Sequence, residues 1–140
     1  MAVSAGDVVA LTGDLGSGKS VLARGVLEAL GVEGHMPSPS FVIVASYETA
    51  VPVNHIDLYR LEHADEALDI GLEDLLYSDC ISIIEWADRL GDLLPPESIR
   101  VELRPAGERD HRLISIKAAV PAVKTRLVDL AGSLVRFGGL

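Results

Sequence analysis

The chain has 140 residues, 49% of them apolar, a single cysteine and a formal net charge of −9. That length predicts one domain over residues 1–140 with one sizeable core, and the composition excludes disorder. No apolar run approaches the ~20 residues of a bilayer span, the start "MAVSAGDVV" has neither the basic nor the apolar region of a secretory signal, and the acidic balance without any basic run argues against tight direct binding of nucleic acid or of a membrane.

In chain order, "VVALT" (Val8–Thr12) is a continuous apolar run, as expected of a strand buried on both faces of a parallel sheet. "GDLGSGKS" (Gly13–Ser20) follows. The segment "KSVLARGVLEALG" then has helical spacing, with Val21, Leu22, Val26, Leu27 and Leu30 on its apolar side and Gly31 as its stop. Gly25 weakens that helix slightly and is expected to let it pack closely on the sheet. "MPSPSF" is an extended loop, because residues before Pro37 and Pro39 avoid the helical region. "FVIVASY" (Phe41–Tyr47) and "VPVNHIDLY" (Val51–Tyr59) are β-rich and separated by a short polar turn.

"HADEALDIGLEDLLYS" reads as a helix interrupted near Gly71, and "CISIIEW" (Cys80–Trp86) as a second apolar strand ending in an acid. Cys80 is expected to be a small buried or half-buried apolar residue; a lone cysteine excludes an intramolecular disulfide, which suits the cytoplasm. "ADRLGDLLPP" is a short helix stopped by Pro95 and Pro96. "SIRVELRP" and "HRLISIKA" form a hairpin joined by "AGERD", and "PAVKTRLVDLAGSLVRF" a C-terminal amphipathic helix, expected chiefly to pack on the core. Strands and helices interleave and a hairpin follows. The predicted fold class is therefore α/β, a P-loop NTPase-type layered fold with a mixed central sheet flanked by helices.

The stretch from Gly13 to Ser20 fits G-x-x-x-x-G-K-[ST], preceded by a strand and followed by a helix. Backbone N–H groups of such a loop can all face the phosphates of ATP, an approach that side chains at Gly13, Gly16 or Gly18 would crowd. The loop residues Gly13, Asp14, Leu15, Gly16, Ser17 and Gly18 form this cradle, and the helix start adds its positive end. Lys19 supplies a point charge to the β and γ phosphates and Ser20 a hydroxyl to Mg²⁺. The expected cofactors are thus ATP and Mg²⁺.

Such sites hold Mg²⁺ with one more acid at the carboxyl end of an apolar strand. "ISIIEW" ends at Glu85 and "NHIDLY" passes through Asp57, and ligands of an α/β sheet sit beyond the carboxyl ends of its strands, so both acids are placed for chemistry. His55 shares a face with Asp57. A lone His–Asp pair is weak evidence for zinc, so a supporting role is expected of His55. Ser38 and Ser40 flank a proline in a loop of the kind that brings a hydroxyl to the γ-phosphate in nucleotide switches.

"GDLGSGKS", "SPSF", "HIDLYRL" and "EW", in this order and at this spacing, resemble the TsaE family, the bacterial ATPase subunit of tRNA threonylcarbamoyladenosine synthesis. The resemblance covers residues 6 to 118. It implies a subunit that binds and slowly hydrolyses Mg-ATP. Its partners would be the TsaD–TsaB pair, which transfers threonylcarbamoyl to adenosine 37 of tRNA, and tRNA would be met only through that complex. Hydrolysis would reset the complex between rounds. By position, the resemblance makes Lys19, Asp57 and Ser40 the catalytic set and gives the metal to Ser20 and Glu85. It also sets Trp86 and Arg109, the latter in the turn of the late hairpin, against the nucleotide. Ser20 and Ser40 stand where the family has threonines, and Ala87 where it often has proline. Family members carry a further strand or turn and a helix ahead of "GDVV", so this segment is expected to be missing here. Two other readings fit the same loop: a small-molecule kinase, although no arginine-rich lid is visible, and a non-catalytic module that uses ATP only to hold a docking shape.

Overall fold

The computed structural model describes residues 3–34, 36 and 44–118, the side chains of residues 108–110 excepted. The expected loop with Ser38 and Ser40, and the expected C-terminal helix, lie outside these residues.

Six strands form one sheet in the order β2-β3-β4-β1-β5-β6. The strands are β1 (Val8–Thr12), β2 (Val44–Tyr47), β3 (Val53–Asp57), β4 (Ile81–Glu85), β5 (Ile99–Ala106) and β6 (Glu108–Ala118). β3, β4, β1 and β5 run parallel, while β2 and β6 pair antiparallel at the two edges. This is the mixed sheet with flanking helices expected from the sequence. Every residue of β3 and β4 is buried, which explains why both read as apolar runs rather than alternating ones.

The two faces of the sheet carry separate cores. On one, Val9, Leu11, Val53, Ile81, Ile83, Val101 and Leu103 pack under α1 (Lys19–Ala29), which contributes Ala23 and Leu27. On the other, Val8, Ala10, Ile56 and Ile84 lie under α2 (Asp65–Asp69), α3 (Leu72–Leu76) and a 3₁₀ helix (Ala87–Leu93). Gly71, at φ 73°, is the break between α2 and α3 that the sequence predicts.

Four local expectations need correction. Val21 lies outside the apolar face of α1, at 72% exposure, because the contact stripe runs through Ala23 and Leu27. Gly25 is exposed with no neighbour near its absent Cβ, so the close approach of α1 to the sheet is made by Ala23 instead. The last hairpin turns at Gly107, φ 66°, and β6 begins at Glu108. Arg109 therefore belongs to a strand and not to the turn. The short helix before Pro95 is a 3₁₀ helix broken at Gly91.

β1 is the switch point of the sheet. Its neighbours β4 and β5 lie on opposite sides, and the chain leaves its carboxyl end into the loop Gly13–Gly18. Register sets Leu11 opposite Glu85, and Glu85 opposite Asp57. The two acids thus arrive side by side at the end of the sheet where open α/β folds hold their ligands.

Candidate nucleotide site

The loop after β1 turns through three glycines at positive φ: Gly13 at 146°, Gly16 at 79° and Gly18 at 103°. Crowding by the protein itself applies at Gly13, where an added Cβ would stand 2.7 Å from the Leu103 carbonyl oxygen. At Gly16 it would meet nothing within 4 Å, so the requirement there is the left-handed backbone. The start of α1 has no side-chain cap and no acid in its first turn. Its positive end is left for an anion.

Lys19 is buried at the first position of α1. Its Nζ donates to the carbonyl oxygens of Gly13 (2.5 Å) and Asp14 (2.9 Å) and to Ser17 Oγ (3.4 Å). It also lies 4.0 Å from the centre of the Trp86 ring, within cation–π range. Burial pulls its pKa below the usual lysine value, against the opposing charges of Glu85, Asp88, Asp14 and Asp57.

Ser20 Oγ donates to Glu85 Oε1 at 2.6 Å, across 65 residues of sequence. The other oxygen of Glu85, Oε2, lies 2.6 Å from Nε2 of His55. Glu85 is 1% exposed. Burial alone would raise its pKa; hydrogen bonds from His55 and Ser20, with the charges of His55 and Lys19, outweigh that and hold it below the usual glutamate value. Asp57 is buried beside it and accepts a hydrogen bond from the Tyr59 amide at 2.9 Å.

Trp86 is the single non-glycine residue with positive φ among those described, at 58°. A bulky residue in that region is strained by about 1–3 kcal/mol, and such outliers gather at functional sites. The strain turns the chain from β4 into the 3₁₀ helix directly after Glu85 and sets the indole beside Lys19. Tyr59 packs on it at 5.2 Å between ring centres, and Arg89 lies 5.6 Å from it.

These groups line a cavity of about 520 Å³, with Gly16, Gly18, Lys19, Ser20, Asp57, Glu85 and Trp86 in its wall and exposed Leu15 and Val21 at its rim. The chemistry fits Mg²⁺ with a nucleotide. Mg²⁺ takes oxygen donors, typically one or two side chains with phosphate and water completing the shell, and Ser20 and Glu85 are two such oxygens side by side. Among the described residues no three His, Cys, Asp or Glu side chains converge as a protein-only cage for a metal.

The structure therefore brings together the loop Gly13–Gly18, Lys19, Ser20, Asp57, Glu85 and Trp86, as the sequence predicts. The side chains of Ser40 and Arg109 lie outside the described residues. Sequence reasoning missed Arg112, whose Nε donates to the Ser17 carbonyl oxygen at 3.2 Å and ties β6 to the loop across 95 residues. It also missed that His55 bonds Glu85. Neither contact carries a signal in spacing, because each joins segments distant in sequence.

A family model described as "Threonylcarbamoyl adenosine biosynthesis protein TsaE" matches residues 1–114. The tRNA threonylcarbamoyladenosine biosynthesis protein TsaE of Bacillus subtilis strain 168 is 38% identical over 114 residues, which span 81% of this chain and 70% of that protein. Its counterpart in Treponema pallidum strain Nichols is 33% identical over 108 residues, 77% of this chain and 80% of that one. The crystal structure of Bacillus subtilis YdiB superposes with a TM-score of 0.78 at 28% identity, covering 94% of this chain and 80% of the other.

Proposed function

The chain belongs to the TsaE family, and on that premise we propose that it is the Mg-dependent ATPase subunit required for threonylcarbamoyl modification of adenosine 37 in tRNA. It acts with the TsaD–TsaB pair in the cytoplasm and reaches tRNA only through that complex. The observation that carries the chemistry is the meeting of Lys19, Ser20 and Glu85 at the switch point of the sheet.

Backbone N–H groups of Gly13–Gly18 and the start of α1 bind the phosphates, and Lys19 neutralises charge on the β and γ groups. Ser20 and Glu85 would hold Mg²⁺, which would offset the negative charge developing on the transferred group. Asp57 orients or accepts a proton from the attacking water; its carboxylate stands next to Glu85 and is steadied by the Tyr59 amide. Trp86 walls the site. By the family resemblance, Ser40 serves as the switch hydroxyl and Arg109 as a nucleotide contact. The acidic charge of the chain suits a partner that presents basic surface.

Asp57→Ala is expected to lower ATP turnover about 10²–10⁴-fold, both alone and with the TsaD–TsaB pair, while ADP binding is kept. Steady-state release of ADP and free phosphate measures this. Normal turnover of the variant under both conditions would remove Asp57 from the mechanism. A phosphorylated acceptor in place of free phosphate would make the chain a kinase.

A further inference from the structure

Resting on the nucleotide-site reading, we propose that His55 is the positioning residue that sets the plane of the Glu85 carboxylate and thereby the affinity of the site for Mg²⁺ in the presence of nucleotide. His55 lies on the α1 face of β3, between Val53 and Asp57, with Ile83 opposite it in register. Its ring is 3% exposed among apolar neighbours. A polar ring placed there is costly to bury unless it is hydrogen-bonded. The bond it makes is diagonal, to the acid two residues further along β4, with Nε2 at 2.6 Å from Glu85 Oε2.

The last torsion of a glutamate side chain is broad and two-fold, so a carboxylate held at one oxygen can swing. Glu85 is held at both. His55 takes Oε2, and Oε1 is left on the Ser20 hydroxyl, at the mouth of the cavity. An ionised carboxylate only accepts hydrogen bonds, so Nε2 carries the proton in this pair. The arrangement answers one oxygen of a buried carboxylate permanently inside the protein and reserves the other for the metal end of the site. Removing the donor frees the rotation and leaves Oε2 buried without its partner.

Partners that orient a metal-binding group in this way are typically worth 10–100-fold in metal affinity. The test is calorimetric titration of ADP into the full chain, with Mg²⁺ and with EDTA. The wild type is expected to bind more tightly with Mg²⁺. In His55→Leu this Mg²⁺-dependent increment falls about 10–100-fold while metal-free ADP affinity stays unchanged. His55→Gln, which keeps a donor at similar reach, restores most of the increment. His55→Asn, whose amide mirrors Nδ1 rather than Nε2, behaves like His55→Leu and serves if the leucine variant does not fold, as judged by thermal melting. In a Glu85→Gln background the His55 substitution is expected to change the increment no further. A wild-type increment retained in His55→Leu or His55→Asn overturns the proposal, as does an equal loss of metal-free and Mg²⁺-supported affinity. Absence of ADP binding by the wild type under both conditions would instead overturn the nucleotide-site reading.

Discussion

Lys19→Ala is expected to reduce ATP turnover by about 10²–10³-fold and to weaken nucleotide binding in the same preparation. The Lys19 Nζ is the buried cation at the centre of the site, held by the Gly13 and Asp14 carbonyl oxygens and the Trp86 ring. Those acceptors are neutral. An anionic phosphate oxygen is a stronger acceptor for an ammonium than a neutral carbonyl, so a bound nucleotide is expected to draw Lys19 Nζ toward its phosphates. Alanine removes the charge and leaves the carbonyls of the loop facing an anion. Lys19→Arg is not expected to rescue, because a planar guanidinium cannot occupy the compact space between loop and indole. Turnover of Lys19→Ala within a few-fold of wild type would contradict this placement of the charge.

Gly13→Ala carries the second large effect, and it falls on both stability and binding. The added Cβ would lie 2.7 Å from the Leu103 carbonyl oxygen and 2.7 Å from Ser17 Oγ, at a φ of 146°. The serine hydroxyl can rotate away. The Leu103 carbonyl cannot, since Leu103 is paired with Ile114 in the middle of the β5–β6 hairpin. Relief requires the loop to move off the sheet, which costs about 1–3 kcal/mol and opens the cradle. Thermal unfolding and ADP titration together measure this: a lower Tm and loss of binding are expected. Gly16→Ala is the comparison for stability. Its added Cβ meets no protein atom within 4 Å and carries the left-handed backbone penalty of about 1–2 kcal/mol. An equal fall in Tm for the two variants would show that the clash at Gly13 has no consequence.

Most of this site was legible in the sequence because its parts are local or terminal to apolar runs. β1, the glycine loop and α1 are contiguous, and each obeys a short-range rule. Glu85 and Asp57 were identifiable because an acid that closes a buried run stands out against it, and register then makes them neighbours. What escaped depends on rotation or on pairing between distant strands. The placement of Val21 turns on which stripe of α1 meets the sheet, and the small residue Ala23 is as good a contact there as a branched one. The start of β6 was hidden because "AGERD" has turn composition, yet Glu108 already pairs with Ala106 across Gly107, and after an irregularity the ladder resumes with Arg112 opposite Pro105. The contacts of Arg112 with the loop and of His55 with Glu85 follow from strand order, which no pattern along one chain announces.

The proposed role of this subunit is to hydrolyse ATP so that the TsaD–TsaB pair works repeatedly. Its most direct test counts modified tRNA per TsaD–TsaB pair, with a threonylcarbamoyl donor present, alongside the ADP and free phosphate released. The predicted result is repeated rounds with the wild-type chain and ATP, and arrest after the first round when the chain is omitted or replaced by Lys19→Ala. Repeated rounds at the same yield without the chain, or with the Lys19 variant in place, would contradict it.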